Sequence, residues 1–437
     1  MASNELISPR LEKLRQALEG GQAGALEQFW QEIEQQGEPL FEPMAGDDEN
    51  MLATFLWRAE QETANVIIFS KLFMEGLADR ENGKMERLLD TNLWYRTTKV
   101  RRDARLTYSF TPNDSLLPPA QMKNPIDYFG ATKVSPFNPK KQIYESGSDP
   151  LISQLFYPDG NEEHYGWYRS ILEGPDAPAQ PYFAFRPDVP HGQLAGMKIK
   201  SEILGNERSV AVYTPPGVDP SGDPTALLIF FDGLAYVSKA FVPAPTILDN
   251  LLAEGLIPPV TAVFVDHVID GEDQRIQELL CNSQFNRFLV EELLPGVRGQ
   301  YNITHDPART VIAGSSAGGL GAAFAAYEYP QAFGNVLAQT GAFRFGGQGR
   351  PECWLIRQFV ESELLPLKFY LDVGLYEDKG RGISSLHIVR HMRDVLQAKG
   401  YPVAYADHSG GHDYVVWRQT LVDGLISLIS LDHGDRN

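Results

Sequence analysis

Near the start of the chain, apolar residues recur at helical spacing. Leu11, Leu14 and Leu18, then Leu26, Phe29, Trp30 and Ile33, predict two short helices within 10–36, with Gly20 and Gly21 as the break. The period then shortens. The runs 51–57 (MLATFLW), 64–70 (ANVIIFS), 92–100 (NLWYRTTKV) and 104–110 (ARLTYSF) are short and β-rich. Turn residues such as Asp90, Asp103 and Pro112 separate them, and the spacing predicts a small antiparallel sandwich. Residues 111–195 are rich in Pro, Gly, Asn and Asp and carry no period, so they read as a connection that wraps the surface.

From about residue 196 the pattern changes again. An opening hairpin (MKIKSEILG, RSVAVYTPP) leads into apolar runs at 225–233, 259–266, 309–316, 335–341, 368–374 and 402–407. Such continuous runs suit strands buried on both faces. Helical stretches lie between them, at 246–254, 283–299, 317–328, 352–363, 384–398 and 414–430. The alternation predicts an α/β domain with a mostly parallel sheet and right-handed crossovers. The expected organisation is N-terminal helices plus β-sandwich over 1–145, a connecting segment over 146–195 and an α/β catalytic domain over 196–437.

Charge narrows the partners. Thirty-eight Lys and Arg against 57 Asp and Glu give a net charge of −19, which disfavours nucleic acid and a polybasic membrane anchor. No apolar run is long enough to span a bilayer, and residues 1–20 lack the apolar core of a secretory leader, so a cytoplasmic location is expected. The two cysteines, Cys281 and Cys353, exclude a disulfide framework and show no zinc spacing. No cofactor and no metal are expected; the expected partner is a small-molecule substrate.

The strongest chemical signal is Gly314-Ser315-Ser316-Ala317-Gly318, between the apolar run Thr310–Ala313 and a helix-like stretch. That context is a nucleophile elbow, with Ser316 at the sharp turn and Ala317 N–H aimed at a developing oxyanion. Ser315 is the residue before the nucleophile. Of nine histidines, His412 lies in a Gly-flanked loop after the last strand run, where a base is presented to such an elbow, and His408 is the alternative. His387 and His391 form an i, i+4 pair that could hold a metal, although such a pair more often marks a solvated helix face. The orienting acid is expected after the 368–373 strand, where Glu377 and Asp378 are adjacent and the pattern does not separate them. Asp372 falls inside the strand run, and Asp413 fits a helix cap. A second oxyanion donor is expected from the loop Asp232-Gly233-Leu234-Ala235, with Leu234 N–H as the candidate.

Several segments together resemble the enterochelin (enterobactin) esterases, siderophore esterases of the α/β-hydrolase fold. They are FLWR at 55–58, DTNLWYRT at 90–97, IFFDG at 229–233, GSSAGG at 314–319 and GGHD at 410–413 followed by Trp417. The most distinctive is Arg275-x-x-Glu278-Leu279-x-Cys281-Asn282-x-x-Phe285. The resemblance covers nearly the whole chain. It implies Ser316 as nucleophile and His412 as base, and favours Glu377, three residues after Gly374, as acid. The family's Asp-Pro-Leu-Asn-Pro element stands here as Ser135-Pro136-Phe137-Asn138-Pro139, and the stretch 140–195 matches poorly.

The implied reaction is ester hydrolysis in a ferric tris-catecholate trilactone, an anion of about three charges that an acidic protein must meet with local cations. Arg275 and Arg344 are the expected substrate-binding residues, with Arg350, Arg357, Lys379 and Arg381 nearby in sequence. Trp94, Arg101, Arg102 and Arg105 are expected to lean over the same cleft, while Cys281 and Asn282 read as scaffold. Other readings of the same residues are an esterase for another acyl or feruloyl-type ester, or a non-catalytic siderophore-binding protein.

Overall fold

The computed structural model describes residues 8–74, 77–117, 121, 132–158, 166–269, 271–347, 349–379 and 383–431. Its chain divides into two compact units. Unit 1 takes the described residues within 1–145 and 165–179, together with Ser409–Asp413; the rest form unit 2.

Unit 1 opens with helices Pro9–Glu19 and Ala25–Gln36. Ser8 caps the first, accepting from Leu11 N–H at 3.2 Å, which satisfies one orphan donor of the first turn. The apolar faces of both helices, with Leu11, Leu14, Phe29, Trp30 and Ile33, are buried with Leu40, Leu56, Leu88 and Leu93. Strands β1 (Leu40–Met44), β2 (Asp47–Arg58), β3 (Val66–Phe69), β4 (Glu86–Arg87), β5 (Leu93–Arg101), β6 (Arg105–Pro112), β7 (Lys141–Glu145) and β8 (Gly166–Glu173) follow. They form two four-stranded antiparallel sheets, β1-β2-β5-β4 and β3-β6-β8-β7. Phe55 of β2 meets Tyr108 of β6 edge to face, with ring centroids 4.8 Å apart, so side chains of the two sheets share a core.

Strands β7 and β8 lie where the aperiodic composition predicts a connection. β7 reads Lys-Gln-Ile-Tyr-Glu, with Gln142 and Tyr144 inward and Ile143 45% exposed. An apolar residue outside and an amide inside erase the usual alternation, and the buried amide is tied by Trp167 Nε1–H at 3.0 Å.

Unit 2 carries an eight-stranded sheet. Its strands are β9 (Gln193–Ser201), β10 (Asn206–Thr214), β11 (Ala226–Phe231), β12 (Val260–Val265), β15 (Thr310–Ser315), β16 (Asn335–Gln339), β17 (Lys368–Gly374) and β18 (Val403–His408), with a two-residue pair β13 (Val268–Ile269) and β14 (Glu272–Asp273) apart from it. The order is β18-β17-β16-β15-β11-β12-β10-β9, parallel from β18 to β12 and antiparallel at the β10 and β9 edge. β11, β12, β15 and β16 are buried at every position, as strands covered on both faces must be. This is the α/β-hydrolase architecture. The helix Pro150–Phe156, capped by Asp149, also belongs to unit 2, and no helix among the described residues is long and apolar enough to cross a membrane.

One buried acid makes unit 1 pH-sensitive. Glu38 is 5% exposed and accepts from Leu56 N–H at 3.0 Å and from the Ser135 hydroxyl. Burial pushes its carboxyl up to about 8, against the hydrogen bonds from Ser135, Leu56 and Tyr108. Below its ordinary value of 4.5 the group is protonated folded or unfolded. As pH rises through the interval from 4.5 to about 8, only the unfolded chain releases the proton, so stability falls; above it the loss is complete. Glu38→Gln is expected to remove that loss, on the order of 3 kcal/mol by pH 7. Thermal melts of both proteins at pH 5 and pH 8 check it: the wild-type protein should lose more than the variant.

Candidate active site

Ser316 sits where β15 passes into helix Ala317–Glu328, with φ 57° and ψ −118°. A non-glycine residue in that region is strained, and here the surroundings hold it. Its N–H donates to Gln339 O at 2.9 Å, and its carbonyl accepts from Ala342 N–H at 2.8 Å and Leu320 N–H at 3.2 Å. Gly314 is required by the crowding, since a Cβ there would lie 2.6 Å from the Gly318 carbonyl carbon. Ser316 is half-buried, whereas Ser315 is 1% exposed on β15. Ser316 is the more accessible of the two. Ala317 N–H opens the following helix, where the dipole favours negative charge.

Glu377 closes a short 3₁₀ turn after β17 and is 1% exposed. Its Oε1 accepts from Thr340 Oγ1 at 3.0 Å and from Gly374 N–H at 3.3 Å. Thr340 follows Gln339, whose carbonyl holds Ser316 N–H, so one backbone turn is bonded to both residues. Asp378 is exposed. Burial, which the sequence does not display, separates these two adjacent acids.

His412 is half-buried, in the segment Ser409–Asp413 that belongs to unit 1. His408 ends β18 instead, half-buried, with Nε2 3.6 Å from Oδ1 of the buried Asp372 in unit 2. His387 and His391 are exposed on helix Ser385–Lys399.

The loop after β11 turns at Asp232, with φ 58°, into the short helix Gly233–Val237. The Asp266 carboxyl beside it accepts from the Tyr157 hydroxyl at 2.9 Å. Burial holds that carboxyl above its usual range, against that bond and the nearby backbone N–H of Leu234. Arg275 is also engaged. Its Nη2 donates to Asp232 Oδ2 at 2.8 Å and to Ser315 O at 3.3 Å, and its Nε to Asp232 Oδ1. Burial opposes the charge on Asp232, but Arg275 pulls its carboxyl below the usual range.

The other expected cations are spread over both units. Arg344 pairs with the exposed Glu352 at 3.0 Å, and the neighbouring Phe345 is 52% exposed. Arg350 is drawn inward, donating to Cys281 O at 2.6 Å and lying 4.2 Å over the Trp354 ring. Arg357 and Lys379 are exposed, and Arg381 lies outside the described residues. In unit 1, Trp94 is 7% exposed, Arg102 pairs with Asp176, Arg105 with Glu173, and Arg101 donates to Asp103 and to Ser409 Oγ.

Residues 201–428, more than half of the chain, match the family model described as "Putative esterase", and residues 52–183 match "Enterochelin esterase, N-terminal". The chain belongs to the enterobactin esterase family. The iron(III) enterobactin esterase of Dickeya dadantii (strain 3937) is 29% identical over 445 residues, covering 95% of each chain. That of Yersinia enterocolitica is 30% identical over 320 residues, which is 70% of this chain and 86% of its own. The crystal structure of the enterobactin esterase from Shigella flexneri in the presence of enterobactin aligns with a TM-score of 0.69 at 25% identity, over 92% of this chain and 97% of that one. This member of the enterobactin esterases is an ester hydrolase.

The distinctive string from Arg275 to Phe285 is, in this enterobactin esterase, a brace. Glu278 accepts two hydrogen bonds from Arg208 of β10, at 2.6 and 3.1 Å, and its Oε2 lies 2.6 Å from His267 Nδ1. Asn282 caps the next helix through Gln284 N–H at 2.9 Å, and Phe285 packs on Phe231 and His267. Asp232, Asp266 and Glu278 are supporting residues that sequence reasoning did not assign. The partners of Asp232, Asp266 and Glu278 include Arg275, Tyr157 and Arg208, which lie tens of residues away in the chain, and only the spacing of the Arg275–Glu278 string hinted at them.

Proposed function

We propose that this enterobactin esterase hydrolyses the lactone esters of a ferric catecholate siderophore such as enterobactin, and so releases iron in the cytoplasm. Ser316 attacks a lactone carbonyl while His412 takes its proton, and Glu377 orients the imidazole and stabilises its charged form. The ring alkoxide leaves with the proton that His412 returns, giving an acyl-enzyme on Ser316. Water, activated by the same imidazole, then releases the linear acid. Ala317 N–H and Leu234 N–H stabilise the tetrahedral oxyanion. The observation that carries this reading is the strained Ser316 turn, hydrogen-bonded to the same backbone corner as the buried Glu377.

Arg344 meets the ligand's negative charge. Its partner Glu352 is 63% exposed, and a surface pair of this kind is worth at most about 1 kcal/mol, so a multiply charged anion displaces it readily. Phe345 beside it offers an aryl face. Arg275, bound to Asp232 and to Ser315 O, is assigned to holding the elbow and the oxyanion loop together. Arg344→Ala is expected to raise KM for ferric enterobactin and to leave p-nitrophenyl acetate hydrolysis nearly unchanged, with the difference shrinking in high salt. Arg275→Ala should lower kcat on both esters. Initial rates on the two substrates check both; an equal loss on both for Arg344→Ala would contradict its role in anion recognition.

A further inference from the structure

The half-buried His412 sits on a segment that is hydrogen-bonded to the sandwich through Ser409 and Asp413. Arg105 N–H donates to Ser409 O at 2.8 Å, and Arg105 bridges Gly410 in parallel fashion. Arg101 Nε donates to Ser409 Oγ at 2.8 Å. A Cβ on Gly411 would lie 3.0 Å from Leu106 Cδ2 and from Lys71 Cβ, so the backbone there lies close against β6. Beyond His412, Asp413 is 5% exposed, and its Oδ2 accepts from both Thr107 N–H at 2.8 Å and Thr107 Oγ1–H at 2.7 Å. Residues on both sides of the imidazole are therefore fixed to consecutive positions of one strand. Two donors of one residue, Thr107, clamp a single buried carboxylate oxygen and set the chain direction immediately after His412.

We propose that Thr107 is a positioning residue of the reaction, acting through Asp413 to hold His412 in its productive orientation. Rigid placement of a base matters because a displacement of about 1 Å can cost about 100-fold in rate. The inference rests on His412 serving as the base.

Thr107→Val keeps the shape of the side chain and removes one of the two donors to Asp413. On enterobactin and on p-nitrophenyl acetate it is expected to lower kcat about tenfold with KM within about twofold, while Thr107→Ser, which keeps the hydroxyl, stays near wild type. Asp413→Asn serves as a second variant and should show the same split between kcat and KM. The deciding measurement is a double-mutant cycle. In the His412→Ala background, Thr107→Val should leave the residual rate unchanged, because its effect passes through the imidazole. A tenfold loss that persists in that background would overturn the proposal in favour of a purely structural role. Wild-type kcat in both Thr107→Val and Asp413→Asn would overturn it as well. If His412→Ala itself kept wild-type turnover, the base assignment would fall and this inference with it, an outcome the single variants at Thr107 and Asp413 do not produce.

Discussion

Ser316→Ala is expected to lower kcat for enterobactin by about 10⁴- to 10⁶-fold while the protein keeps its thermal transition. The size follows from the way a nucleophile and its base act together: with the hydroxyl gone, the remaining groups can only bind the ester and stabilise an oxyanion formed by water. The fold survives because the strain at Ser316 is held by backbone bonds to Gln339, Ala342 and Leu320, none of which uses the side chain. Ser315→Ala is the control. Its side chain is buried on β15, so it should change the rate little and any effect should be on stability. Steady-state rates with circular dichroism melts of both variants check this pair. Near-native turnover in Ser316→Ala would remove the elbow from the chemistry.

His412→Ala is expected to be nearly as damaging, and the Ser316→Ala/His412→Ala double variant should be no slower than either single one, because in the proposed mechanism the two residues perform one proton-coupled step. Glu377→Gln should cost less, about 10²- to 10⁴-fold, since the acid orients and stabilises the imidazolium without itself moving a proton. Asp378→Asn, at an exposed position, should leave the rate close to wild type. The comparison is made by single-turnover kinetics on enterobactin. A loss confined to Asp378→Asn would transfer the role of the acid to that residue.

These expectations rest on features of unequal legibility in the sequence. The elbow was plain, because strand, Gly-x-Ser-x-Gly and helix are contiguous and the glycines answer a local steric demand. The eight strands of the larger sheet were legible in outline for a similar reason: continuous apolar runs have few alternatives to burial on both faces. Glu377 and Asp378 are not separable from pattern alone, since only in the folded chain is one buried, with a hydrogen bond from Thr340 37 residues earlier, and the other exposed. Arg275 showed its charge but not its partner, Asp232, which lies 43 residues earlier. Asp413 had the appearance of a helix cap, yet its carboxylate is held by Thr107, 306 residues away, a distance over which no local pattern carries information. β7 stayed hidden because its amide faces in and its isoleucine faces out.

In the proposed mechanism Ser316 carries an acyl group taken from a siderophore trilactone. Acid-quenching the enzyme during turnover of enterobactin, followed by peptide mass spectrometry, tests it most directly. The leaving alkoxide of a lactone stays in the same molecule, so the first adduct should add the mass of the whole trilactone to the peptide that holds Ser316, and should be absent from Ser316→Ala. An adduct on any other residue, or product formation by Ser316→Ala at the wild-type rate, would contradict the account.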